Sequence, residues 1–187
     1  MVVVWMVACA SAPARIPSAS ATPVVRPTTI APGVSVAPSE LVLPPYTVST
    51  SNPLPPGVSA ATVVKDVVID DLIENAALER NDPALLAYSD VGGVLAVDQR
   101  QISANKSTGL RLLSIDDAVS NMALGRQADP NNAAAQIAVV VRGVETTKQR
   151  SNANKPRTSV ENFKVQIWLL WSTTADRYLQ CDVSTLS

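Results

Sequence analysis

The chain has 187 residues, with 15 Lys and Arg against 16 Asp and Glu, two Cys, 14 Pro and no His. Without imidazole, Ser-His-Asp and Cys-His catalysis and the common His-based zinc sites are excluded, and a near-neutral balance with no basic stripe argues against a nucleic-acid-binding protein. Eleven prolines fall between Pro13 and Pro56, and residues 1–60 carry only three charges (Arg15, Arg26, Glu40), so composition divides the chain into a tail and a domain of 127 residues, enough for one core without a metal or disulfide.

Residues 1–10, MVVVWMVACA, are apolar and end in small residues around Cys9. A membrane span needs about 20 such residues, so this run reads as the apolar part of an export signal. The stretch Met6-Val7-Ala8-Cys9 is similar to the signal of bacterial lipoproteins, whose Cys becomes the acylated first residue of the mature protein. That resemblance implies lipidation at Cys9, export, and attachment of the protein to the membrane of the cell envelope by an N-terminal lipid. Residues 11–60 are rich in Pro, Ser, Ala and Thr. They bury too little apolar surface to offset ordering entropy and are expected to form a disordered, partly polyproline linker.

The folded part is expected over residues 61–187. Val64, Val68, Leu72 and Ala76 recur every fourth residue, with Ile69 and Ile73 widening the stripe, which predicts an amphipathic helix capped near Ser59 or Thr62 and ended at Asn81. Asp70, Asp71 and Glu74 then fall on the face away from the stripe and are expected to be solvated, with Lys65 near for surface pairing. Asp82-Pro83 restarts a short helix, PALLAYSD, and a third helix follows Gly92-Gly93.

After Asn105 the period shifts. Residues 109–126 read as a long strand bulged near Asp116-Asp117, or as strand–turn–strand. Val139, Val140, Val141 and Val144 mark the next strand. Lys148, Arg150, Lys155 and Arg157 then line a turn whose charges suit a soluble loop. From Ser159 alternation places Phe163, Val165, Ile167, Leu169 and Trp171 on one face. The last strand sets Leu179, Cys181 and Val183 opposite Tyr178, Gln180 and Asp182, with Cys181 acting as a small buried hydrophobe.

This order of elements resembles the nuclear transport factor 2-like superfamily. The resemblance is carried by the NDPALLAYSD turn and short helix, the hairpin of long strands, and the turn leading from Trp171 into Asp176-Arg177-Tyr178-Leu179. It implies an α+β cone: three N-terminal helices packed on a curved antiparallel sheet of about four strands, preceded by the disordered Pro-rich tail. Enzymes of the superfamily place an Asp-His pair or a lone carboxylate in the cone, whereas its anchored envelope members carry no catalytic residues.

The expected function is therefore a non-enzymatic, envelope-anchored lipoprotein, without cofactor or metal, whose cone takes a protein partner or an apolar ligand. The expected ligand pocket is Phe163, Val165, Ile167, Leu169 and Leu179, with no acid or base among them. The opposite face, with Trp168, Leu170, Tyr178 and Arg142, is expected to meet a second copy of the chain or an envelope partner. The alternative is a carboxylate-based isomerase or cyclase in the same cone.

Overall fold

A computed structural model describes residues 28–37, 41–151 and 154–187; Cys9 and the expected signal segment lie outside the described residues. The elements in chain order are β1 (Thr28–Ala31), β2 (Val34–Val36), β3 (Tyr46–Val48), α1 (Ala60–Arg80), a 3-10 turn (Leu85–Tyr88), α2 (Gly92–Thr108), β4 (Arg111–Arg126), β5 (Ile137–Arg150), β6 (Arg157–Ser172) and β7 (Arg177–Thr185). Five strands form one sheet in the order β3-β4-β5-β6-β7, and β1 and β2 form a separate hairpin.

This corrects the expected architecture of three helices on a four-strand antiparallel sheet behind a disordered tail. There are two α-helices among the described residues. The PALLAYSD segment closes only a 3-10 turn, because Asp90 N and Ser89 N both bond back to Leu86 O and the chain then leaves to bridge Gln180 in parallel. The main sheet has a fifth strand, β3, which runs parallel to β4. Part of the Pro-rich segment is thus built into the fold. Prolines cannot donate to a ladder but can precede an edge strand: Pro45 O accepts from Met122 N at 2.9 Å, and Ser49 N donates to Leu124 O at 2.8 Å.

The β1–β2 hairpin turns at Pro32-Gly33, where Gly33 has φ +71°, a conformation that suits glycine after proline. Arg80 Nη2 donates to Gly33 O at 3.2 Å and ties the turn to the end of α1. Ala31 and Val34 enter a cluster with Ile69, Ile73, Leu85, Leu86 and Ile102.

Helix α1 begins at Ser59, whose hydroxyl accepts from Thr62 N, and ends at Asn81 in the left-handed conformation, as the sequence predicts. Its buried residues include Val63, Val64, Val67, Ile73 and Ala77, but also Asp66 and Asp70. The helix is enclosed by the hairpin, the 3-10 turn and the sheet. A second cluster sets Val63, Val64 and Val67 against Met122, Leu124, Val139 and Ile167. Strand β4 is continuous, and its register shifts fall between Leu112 and Ser114 and between Val119 and Asn121, on either side of Asp116-Asp117 rather than at it.

Candidate functional site

A cavity of about 600 Å³ lies between α1, α2 and the sheet, closed on one side by Val42, Leu43, Pro44 and Pro45. Its apolar wall comes from Val68 and Leu72 of α1 and from Met122, Val141, Phe163 and Ile167 of the sheet. Its polar wall is acidic: Asp71 and Glu74 from α1, Asp98 from α2, Asp117 from β4 and Glu145 from β5. The i, i+3 and i, i+4 spacing of Asp71, Glu74 and Asn75 puts all three on one helix face. That face meets the cavity, which corrects the expectation that Asp71 and Glu74 are solvated. Asp70 is fully buried as well, in an ion pair with Arg177, which also donates to Tyr88 O.

Two acidic subclusters differ in their partners. Asp117 accepts from Asn75 Nδ2 at 2.9 Å, and its carboxyl lies within hydrogen-bonding reach of Asp71. Burial, then the Asp117 charge and hydrogen bond, then the Glu145 charge push Asp71 up to about 8. Burial also raises Asp117, against the Asn75 hydrogen bond, which holds it down. Two carboxyls in such a site share one proton and titrate as a pair. At the other end, Glu74, Asp90 and Asp98 bring three carboxyl oxygens within 4.8 Å of one another. Burial is the first cause that raises each of them, Asp90 to about 7, with the neighbouring acids adding to it for Glu74 and Asp90. Asp116, the neighbour of Asp117, is exposed on the opposite side of β4.

No protein-family model matches the chain, and no curated protein matches it. Among solved structures it is similar to the crystal structure of the intermembrane space region of chloroplast protein ARC6, with a TM-score of 0.55 and 15% identity, over 71% of this chain and 99% of that one. The likeness is one of fold.

Of the residues expected to line a pocket, Phe163, Val165 and Ile167 do line the cavity. Leu169 is in the core beside it. Leu179 stands opposite Leu170, on the side of the sheet that carries Trp168. A register shift next to Trp168 sets Trp168 opposite Asp182 but Leu169 opposite Gln180, leaving Cys181 as the extra residue. The bulge changes the phase of β7, so that Gln180 and Val183 line the cavity while Cys181 joins Trp168.

The expected partner-binding residues are split between the two faces. Trp168 is 6% exposed and is packed with Ala135, Ala138 and Cys181, with Leu170 and Val91 at the margin. The loop between β4 and β5 covers this group: Asp129 N bonds Ala135 O at 2.9 Å, and Asn131 Nδ2 donates to Asp182 Oδ2 at 2.6 Å. Cys181 Sγ donates to Trp168 O, and burial, with the Asp129 charge next, pushes the thiol up to about 12, an inert, protonated cysteine. Tyr178 lies on the cavity side instead, edge-on to Trp171 with ring centroids 5.0 Å apart. Arg142 is exposed beside Lys164, four residues along β5 from Ala138. Lys148, Arg150, Lys155 and Arg157 are exposed at the β5–β6 tip.

Sequence reading missed the acids of the cavity because it assumed that one face of α1 meets water. A signal was present. Asp66, Asp70, Asp71, Glu74 and Asn75 follow one another at helical spacing with only Lys65 as a nearby cation, a density of negative charge that an ordinary surface helix would relieve with i, i+4 pairs.

Proposed function

We propose that the domain is a non-enzymatic binding module of the cell envelope, held to the membrane through a lipid on Cys9, whose cavity takes a small amphiphilic ligand. The observation that carries this reading is the cavity itself. At about 600 Å³ it falls in the range of small-molecule sites, and it pairs an apolar wall with a few convergent carboxyls that can orient hydrogen-bond donors or a cationic group. Envelope placement rests on the Met6-Val7-Ala8-Cys9 stretch; the likeness to a region of ARC6 described as lying in an intermembrane space is in keeping with it.

The test uses Nile red, a neutral apolar dye. Its fluorescence is expected to rise to saturation on titration with the full chain, and Val68→Trp, which fills the cavity from α1, should abolish the rise while leaving the circular dichroism spectrum intact. Equal binding by the variant, or no saturation by the wild-type chain, overturns the reading.

The Asp71–Asp117 pair favours a second reading, in which a shared proton serves carboxylate acid–base chemistry of the isomerase or cyclase kind. Chromatography coupled to mass spectrometry, which resolves isomers of equal mass by retention, of molecules co-purifying with the wild-type chain and with Asp71→Asn separates the two. One unchanged compound in both marks a binding module, whereas a substrate and its isomer in the wild type, with substrate alone in the variant, marks an enzyme.

A further inference from the structure

Three carboxylates from three separate elements meet at one end of the cavity. Glu74 projects from α1, Asp98 from α2, and Asp90 from the segment between the 3-10 turn and α2, where its backbone bridges Gln180 of β7. One carboxyl oxygen of each lies within 4.8 Å of the other two. Asp90 is 1% exposed, and neither of its carboxyl oxygens meets a well-placed hydrogen-bond donor of the chain, although the Ser89 hydroxyl and the Asp98 carboxyl lie close to it. Oδ2 of Asp98 is likewise buried and unpartnered. Burying an ionised carboxylate with no partner is costly, and the cost is relieved either by a bound proton or by a positive group; the centre of this acid cluster is therefore a place where a cation can displace protons.

No lysine or arginine fills that role. Among the described residues the one ion pair is Arg177 with Asp70, and that guanidinium also bonds Tyr88 O. Protons can neutralise these carboxyls one at a time, but each proton bridges at most two of them. A metal ion engages all three at once. Oxygens bound to calcium at about 2.3–2.6 Å stand at most about 5 Å apart across the ion, which accommodates the observed spacing. All three donors are hard oxygens and the chain has no histidine, which points away from zinc and copper and toward calcium or magnesium.

We propose that Glu74, Asp90 and Asp98 form a binding site for a hard divalent cation, with calcium as the better fit. Glu74 and Asp98 also line the cavity, so the ion reaches its site through the cavity and keeps coordination positions open toward it. An anionic or carbonyl-bearing group of a cavity ligand could occupy those positions. The cation site does not depend on the ligand reading, and it is tested without any ligand.

The full chain is stripped with a chelator and titrated with calcium chloride, and in parallel with magnesium chloride, by calorimetry and by thermal unfolding. One equivalent of calcium is expected to bind with a raised Tm. Asp90→Asn and, separately, Glu74→Gln should weaken binding at least about tenfold while remaining folded without metal, and Asp116→Asn, on the exposed face of β4, should bind as the wild type does. Magnesium binding lost in the same two variants also supports the site. Absence of saturable binding of either ion up to about 1 mM, the weak end of protein calcium sites, overturns it, as does undiminished binding by both variants.

Discussion

A carboxyl held beside another carboxyl in a cavity stores a dependence on pH that a surface acid does not. An unfolded-chain aspartate titrates near 3.9, whereas Asp71 is pushed up to about 8 by burial and by Asp117. Between those values the native chain holds a proton that the unfolded chain has lost, so the stability tied to Asp71 is complete below about pH 4 and falls away as pH rises through about 8. Asp71→Asn removes that loss. Its Tm at pH 8 is expected to exceed the wild-type value by about 3 °C or more, on the order of 1 kcal/mol in a domain of this size, and its Tm should vary less between pH 5 and pH 8. A lower Tm than wild type at pH 8 would show that the ionised carboxylate has a stabilising partner. Trp168 makes the contrasting case. At 6% exposed under the β4–β5 loop, Trp168→Ala is expected to cost about 3–5 kcal/mol in urea unfolding, independent of protein concentration; a loss that shrinks on dilution would instead place Trp168 in an association surface. The sequence shows both residues plainly but not what lies against them. Alternation sends Trp168 to the outer face correctly, yet only the chain from Asp129 to Ala135, remote in sequence, decides that this face is covered.

At the scale of the element, the long β5–β6 hairpin is set by alternation, and its register runs without a break from Ile137↔Leu169 to Gln149↔Arg157. One pair in it is unusual. Gly143 faces Phe163, and a Cβ at Gly143 would lie 2.7 Å from Ala118 O and 2.7 Å from the Phe163 ring. The ring therefore occupies the space that a side chain at Gly143 would need, and this lets Phe163 line the cavity. Gly143→Ala is expected to destabilise by about 1–3 kcal/mol through overpacking. Adding Phe163→Leu should recover part of that loss but not all, because the contact with Ala118 O is to backbone and persists. Full recovery, or no loss in the single variant, would show that the sheet flexes freely there. Helix α1 and its caps were legible because Ser59, Asn81 and the apolar spacing are local signals. Strand β7 was legible in extent but not in phase. Leu179, Gln180 and Cys181 are all buried, so both faces of this stretch are covered, and alternation there does not tell the cavity side from the other. The hairpin of β1 and β2 had a readable mark, Pro32-Gly33 between short β-branched runs, which the low charge and high proline content around it obscured.

For the whole molecule, the consequence is that the domain does not begin where proline density ends. Ala31 and Val34 are core residues, Leu54 and Val58 are partly buried against the second cluster, β3 covers the edge of β4, and Val42 to Pro45 wall the cavity. Composition alone could not show this, since three-residue strands have no period to detect and β3 pairs with a strand more than 70 residues later. A fragment of residues 60–187 retains α1, α2 and four long strands, but it loses the buried side chains at about 1.5–3 kcal/mol for each large one fully buried and exposes the ladder edge of β4 to pairing with other chains. It is expected to unfold at a lower urea concentration than the full chain, with a difference of about 3 kcal/mol or more after the ordering entropy of the lost segment is offset, and to self-associate as concentration rises. In the full chain, Val34→Asp should reproduce part of the stability loss without the association, because it disrupts the hairpin's packing and leaves β3 in place over the edge. If the fragment is as stable as the full chain and stays monomeric, the segment from 28 to 58 contributes nothing to the fold; if Val34→Asp associates as the fragment does, the protection comes from the hairpin rather than from β3.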